Sequence, residues 1–199
     1  PATTIAMQHD PARRPHVSRS PINGSRMLSF DGKDDFLVLD ELAPQIRRAS
    51  ALTIFFVGRP AAEQKQYVLT MHAARNEDDV VRVGFDTGGR LLMSDRSPNY
   101  YRSDAQVGLG ELAVYSMIAN GTSLVLYRNS IRQIAATLST GVELGRVERV
   151  TIGQDWDPAG PSDYFSGQLA ALLIFDRVLS DEERSQVESY LTTNYAIGR

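Results

Sequence analysis

Gln168-Leu169-Ala170-Ala171-Leu172-Leu173-Ile174-Phe175, followed by Ser180-Asp181-Glu182-Glu183, decides the fold of this chain. The first run is apolar on both faces, as a strand at the centre of a sheet is. The second starts a helix. Ser180 and Glu183 have capping-box spacing, Asp181, Glu182 and Glu183 suit the positive end of the helix dipole, and Val187, Tyr190, Leu191 and Tyr195 form one apolar stripe. Upstream, Val150-Thr151-Ile152 alternates like a strand, and Gly153 to Gly167 is polar and rich in turn residues. The last fifty residues therefore predict strand, loop, strand and a helix over 181–195 docked on a sheet.

Working back along the chain, the same signals recur. Leu52 to Val57 is a second doubly apolar run, closed by Arg59-Pro60. Met27 to Phe30 and Phe36 to Leu39 read as two strands joined by the Asp31-Gly32 turn. Tyr67 to Met71, Val80 to Phe85 and Arg90 to Met93 read as a meander, with Gly88-Gly89 turning the chain. Leu112 to Ala119 and Ser123 to Tyr127 flank Asn120-Gly121, a strong hairpin signal, and Ile131 to Ala135 adds a strand after Asn129-Ser130. Many short strands with almost no helix before Ser180 predict an all-β, two-sheet antiparallel sandwich. Residues 1–26, punctuated by Pro1, Pro11, Pro15, Pro21 and Gly24, are expected to form a surface arm, and 27–199 a single domain.

Composition narrows the function classes. The 199 residues are 42% hydrophobic and 23% charged, ordinary values for a folded domain, and contain no cysteine, which removes thiol chemistry and cysteine metal sites. A net charge of −3 gives no electrostatic reason to expect nucleic acid as a partner. No apolar run approaches the roughly 20 residues of a membrane span, so no membrane insertion is expected, and the opening Pro1-Ala2-Thr3-Thr4 lacks the parts of a signal peptide. His9, His16 and His72 have no partner at metal spacing.

Particular residues suggest a family. Ile22-Asn23-Gly24, Leu28-Ser29-Phe30-Asp31-Gly32-Lys33-Asp34-Asp35-Phe36-Leu37 and Leu52-Thr53-Ile54-Phe55-Phe56-Val57 resemble the opening of bacterial laminin-G-like domains of the concanavalin A-like lectin/glucanase superfamily. Thr151-Ile152-Gly153, Phe165-Ser166-Gly167-Gln168-Leu169 and Ile174 to Ser180 resemble that family's closing strand and helix. The resemblance implies a jelly roll, common in extracellular or cell-surface bacterial proteins and often one module of a longer chain. It does not imply catalysis. The glucanase branch carries carboxylates as Glu-x-Asp-x-x-Glu on one strand, and Glu77-Asp78-Asp79 is a contiguous acidic turn instead.

Two stretches are the candidate binding surfaces. Gln154 to Tyr164 sets the single tryptophan, Trp156, among Asp155, Asp157 and Asp163 and beside Tyr164. An aromatic flanked by carboxylates suits a sugar ring and its hydroxyls; the competing reading is that Trp156 caps the sandwich core. Asp155, Asp157 and Asp163 also fall in a partial calcium-loop register, with Ala159 and Ser166 where oxygen ligands belong, so weak calcium binding is expected at most, with Asp176 the next candidate. The second stretch, Ser94 to Arg102, is read as a loop that gathers Arg96, Tyr100 and Tyr101; the competing reading is a turn with Tyr100 or Tyr101 returning to the core. The expected function is a non-catalytic module for a glycan or protein ligand. A polysaccharide hydrolase or lyase with carboxylates converging from distant strands, and a structural spacer, are the alternatives.

Overall fold

The computed structural model describes residues 5–19, 24–73, 79–96, 99–138, 141–157 and 159–198. Ile22-Asn23 of the opening motif and Glu77-Asp78 lie outside them. The described residues form β1 (His16–Arg19), β2 (Arg26–Asp31), β3 (Leu37–Val38), a one-turn helix α1 (Ala43–Ile46), β4 (Ala51–Pro60), β5 (Gln66–His72), β6 (Asp79–Phe85), β7 (Arg90–Arg96), β8 (Asn99–Gln106), β9 (Ala113–Asn120), β10 (Ser123–Arg128), β11 (Ile131–Thr137), β12 (Arg149–Ile152), β13 (Asp155–Asp157), β14 (Gly160–Ser162), β15 (Ser166–Phe175) and α2 (Asp181–Asn194). All named pairings are antiparallel. A seven-stranded sheet in the order β1-β2-β15-β4-β9-β10-β11 faces a six-stranded sheet in the order β3-β12-β5-β6-β7-β8, and β13 with β14 makes a separate hairpin. This is the antiparallel jelly-roll sandwich that the sequence predicts.

Burial explains the two doubly apolar runs. Ile54 and Phe56 of β4, with Leu172 and Ile174 of β15, face the core between the sheets. Phe55 and Val57, with Ala171, Leu173 and Phe175, face the opposite way and pack under α2 beside Leu191. Both faces of these strands are covered, so both are apolar. Between the sheets Phe56 stacks on Tyr115 at 4.6 Å, Phe85 meets Tyr115 edge-on at 5.5 Å, and Phe165 lies 5.6 Å from Phe30. Each such pair adds about 0.5–1.5 kcal/mol beyond its area.

Three local readings change. The strands around Asp31-Gly32 do not pair: β2 lies in one sheet and β3 in the other, because the turn ties to itself and carries the chain across. Asp35 Oδ2 accepts from the Asp31 N–H and Asp31 Oδ1 from the Lys33 N–H, while Gly32 takes φ +76°. Ser94 to Arg96 and Asn99 to Arg102 are paired ends of β7 and β8 rather than loop, which puts Tyr100 and Tyr101 on a strand. Finally, α2 has its capping box, but the apolar stripe is interrupted. Tyr190 is 65% exposed, and Glu188 is buried alongside Leu191. Its carboxylate accepts from Ser116 Oγ, Ser130 Oγ and Arg184 Nη1 at 2.6–2.8 Å, so a charged group docks the helix where the pattern asks for an apolar one.

Candidate functional site

With α2 over the seven-stranded sheet, the outer face of the six-stranded sheet is where a site is built. Period-two alternation sets its composition. On β6, Val81, Val83 and Phe85 enter the core, which turns Arg82 outward. On β8, Tyr101 packs against the core, so Tyr100 and Arg102 share the outer face, opposite Ser94 and Leu92 of β7. On β5 the register slips between Tyr67 and Leu69. Gly84 opposite makes that slip fit, since a Cβ there would fall 2.0 Å from Gln66 O and 2.7 Å from Tyr67 Cα.

Residues 154–157 and 159–164 leave the sheet and fold back over it as a flap. Gly153 closes the excursion at its base: its N–H donates to Val68 O at 3.0 Å, and its carbonyl accepts from the Phe165 N–H at 2.9 Å. The returning end is held by the Tyr67 N–H on Asp163 O and by Gln64 Nε2 on Tyr164 O. Underneath, Asp155 is fully buried, with Oδ2 2.7 Å from Arg82 Nη1 and Oδ1 3.4 Å from His72 Nε2. Thr70 and Thr151 hydroxyls meet at 2.6 Å, and Thr70 also donates to Gln154 O. The Tyr67 hydroxyl, the Gln154 amide and the Trp156 Nε1 are shielded from solvent without a hydrogen-bond partner among the described residues. Leaving each unpaired costs about 1–3 kcal/mol, which marks a place where water or ligand hydroxyls belong.

The candidates from the sequence separate in space. Trp156 belongs to neither core cluster; it is half-buried on the flap, with the Arg149 guanidinium 4.1 Å from its ring centre, so the core-cap reading does not hold. Asp155, Asp157 and Asp163 do come together, with carboxylate oxygens within 4.8 Å of one another. They fit a calcium ion poorly, because the chain's own groups already use them. Arg82 holds Asp155, Lys65 Nζ is 2.7 Å from Asp163 Oδ2, and Ser162 Oγ donates to Asp157 Oδ2. Asp176 is exposed ahead of α2 and joins neither acidic cluster of the described residues. Tyr164 is half-buried on the flap's return, where the charges of Arg13 and Asp34 act on it, away from Tyr100. Tyr101 leaves the candidate surface for the core side, and the Arg96 side chain lies outside the described residues.

Residues that the sequence reading passed over complete the surface. The Arg82 guanidinium lies 5.1 Å from the Tyr67 ring centre and 5.6 Å from that of Tyr100, and the Arg102 guanidinium lies 5.1 Å from the Tyr100 ring centre. Beyond Arg102, Asp86 anchors the turn to β7: its Oδ1 accepts from the Gly88 and Arg90 N–H groups, and Oδ2 meets the side chains of Arg90 and Arg102. Burial works against ionisation of Asp86, but the Arg90 and Gly88 N–H groups and the Arg90 guanidinium outweigh it and hold its pKa low. For Lys65 burial is likewise outweighed, by Asp163, so the ammonium is held charged. The signal that finds this set is Tyr100-x-Arg102, two residues apart on one strand face, and Arg82 between Val81 and Val83.

Several solved structures share the architecture. A Ruminococcus gnavus IT-sialidase CBM40 bound to alpha2,3 sialyllactose superposes with a TM-score of 0.68 at 16% identity, over 81% of this chain and 97% of that one. Domain 4 of AbnA, a GH43 extracellular arabinanase from Geobacillus stearothermophilus, in complex with arabinotriose, gives 0.65 at 12% identity, over 87% and 81%. A mutant of NanB sialidase from Streptococcus pneumoniae gives 0.65 at 11% identity, over 80% of this chain and 27% of that one. No curated protein matches the chain. A laminin G family profile matches residues 31–183, the span that holds both sheets from the Asp31 turn onward, the flap and the start of α2; the chain belongs to the concanavalin A-like lectin/glucanases superfamily.

Proposed function

We propose that this chain is a non-catalytic carbohydrate-binding module of an extracellular or surface-attached bacterial protein, taking its glycan on the outer face of the six-stranded sheet beside the flap. The observation that carries this is Tyr100, a half-buried ring on the outer sheet face with the Arg82 and Arg102 guanidinium groups 5.6 and 5.1 Å from its centre. Such a ring gives a sugar an apolar surface to stack on, with the partly exposed Arg102 guanidinium beside it as a donor for its hydroxyls. The similar structures with bound sialyllactose and arabinotriose support the same reading, and the sialidase of which this chain covers 27% supports a place within a longer chain.

Ion pairing supports the non-catalytic part. Glycoside hydrolysis uses two carboxyl groups facing the scissile bond. The flap carboxylates are near one another, but Asp155 and Asp163 are committed to Arg82 and Lys65. A glycan array followed by calorimetry in solution tests the reading. Binding of at least one glycan class is expected, weakened roughly tenfold or more in Tyr100→Ala, a loss in line with removing a stacking ring from a hot spot. No binding on the array or in solution at high protein concentration would overturn it, and release of reducing ends would overturn its non-catalytic part.

A further inference from the structure

Next to Tyr100 the surface drops into a polar cup of about 400 Å³ lined by Lys65, Asp86, Thr87, Arg90 and Arg102. Its charge does not balance. Arg90 Nη2 and Arg102 Nε approach the same oxygen, Asp86 Oδ2, at 3.0 and 3.2 Å, so two guanidinium groups share one carboxylate. Lys65 is matched by Asp163, so the lining side chains with Asp163 carry about one unit of positive charge, and the nearest further carboxylate side chain, the exposed Glu63, reaches the turn at Gly89. Arg102 touches Asp86 through Nε, and its terminal nitrogens have no hydrogen bond among the described residues. The cup is stiff, because Asp86 is buried and fixed by two backbone N–H groups while Gly89, at φ +64°, completes the turn. The three cationic side chains are 39–42% exposed, open enough to meet a ligand.

We infer that the cup at Lys65, Arg90 and Arg102 receives an anionic substituent, carboxylate or sulfate, of a glycan whose ring stacks on Tyr100. This rests on the glycan reading above and adds the chemical class to it. A planar guanidinium with free terminal N–H groups matches a two-oxygen anion better than it matches a hydroxyl. The Arg102 guanidinium borders the cup and lies 5.1 Å from the Tyr100 ring, so ring and anion sit within one sugar unit of each other. The chain as a whole is acidic, with a net charge of −3, so the excess is local and selects a single anionic group over a long polyanion.

The test presents the full chain with neutral glycans, with uronate- or sialate-bearing glycans and with sulfated glycans on one array. A single-stranded oligonucleotide serves as a plain polyanion. Acidic glycans are expected to bind at least about tenfold better than their neutral counterparts, an advantage that shrinks on raising salt. Arg102→Gln is expected to remove that advantage with its melting temperature unchanged, and Arg102→Lys to restore part of it. Carboxylated against sulfated glycans identifies the anion. Equal binding of neutral and acidic glycans overturns the inference while leaving the glycan reading in place, and so does binding of the oligonucleotide as tightly as the best acidic glycan. A chain that binds no glycan overturns both. Arg90→Gln supplies a second variant: acidic selectivity that survives both substitutions moves the anion out of the cup.

Discussion

Arg82 Nη1 lies 2.7 Å from Asp155 Oδ2, and neither side chain is more than 3% exposed. Seventy-three residues apart in sequence, they join the flap to the sheet beneath it. Removing one partner of a buried pair strands the other charge, so Asp155→Ala is expected to cost about 3–5 kcal/mol in urea unfolding. Asp157→Ala, two residues on and exposed, is expected to change stability by less than about 0.5 kcal/mol. Equal, small effects would show that the flap is not fixed through Asp155.

The docking of α2 gives a second contrast. Glu188→Ala removes the hydrogen bonds from Ser116, Ser130 and Arg184 and leaves Arg184 only the longer contact to Asp181 and the Tyr127 ring, for an expected loss of about 3 kcal/mol. Tyr190→Ala is expected to be close to neutral, because that ring is in solvent. Guanidinium unfolding of the two variants checks both, and the reverse ranking would return the helix to its apolar stripe.

At the start of α2, Ser180→Ala removes the acceptor for the Glu183 N–H and is expected to cost about 1 kcal/mol. Glu183 itself is held down to a pKa of about 2 by the Arg177 guanidinium and by the Ser180 N–H. Its folded pKa lies below its unfolded one, so it contributes stability above pH 4.5 and loses that contribution as pH falls toward 2. Melting curves across this range are expected to flatten in Arg177→Ala.

Alkali acts through the phenols. Burial raises Tyr115 to about 12, against the pull of Arg128, and drives Tyr67 in the same direction. Both stay neutral in the folded state where unfolded tyrosine ionises, so their contribution is complete below pH 10 and declines as pH rises toward 12. Tyr115→Phe is expected to blunt the alkaline fall in melting temperature, and a smaller phenolate absorbance in folded Tyr115→Phe than in the parent chain at pH 11 would contradict the burial.

Calcium at the flap must displace Lys65 from Asp163 and compete with Arg82 for Asp155. Millimolar calcium is therefore expected to shift the melting temperature little, with whatever shift occurs reversed by chelator and absent in Asp157→Ala. The Asp31, Asp34 and Asp35 carboxylates form the other close group among the described residues. There burial, with repulsion from Asp31 and Asp34, raises the Asp35 pKa despite the Asp31 N–H. A shift lost in Asp34→Ala would put the ion there.

The sandwich was legible because β4, β15 and the β9–β10 hairpin carry local signals: doubly apolar runs, and Asn120-Gly121 with Gly121 at φ +54°. The flap was legible as a polar excursion, but its internal role was not. Nothing in Gln154 to Tyr164 tells that Asp155 meets an arginine from β6, since that partnership is made by the fold. Tyr101 was misplaced for a simpler reason. Read as a loop, Tyr100 and Tyr101 stand together; on β8 the alternation of side chains sends them to opposite faces. Glu188 is the same lesson in a helix, a charge that looks solvated until Ser116 and Ser130 arrive from strand and turn.

The two hydrogen bonds at Gly153 close the flap whatever its eleven residues contain, so the sandwich holds its register independently of what is carried on top. The surface beside Tyr100 is in that sense exchangeable: a different excursion between Gly153 and Phe165 would alter the rim of the binding face and leave β12 and β15 where they are. One condition travels with any replacement. It must bring an acid to the place of Asp155, or the arginine on β6 has to change with it, which makes positions 82 and 155 a pair expected to vary together wherever this loop is rewritten.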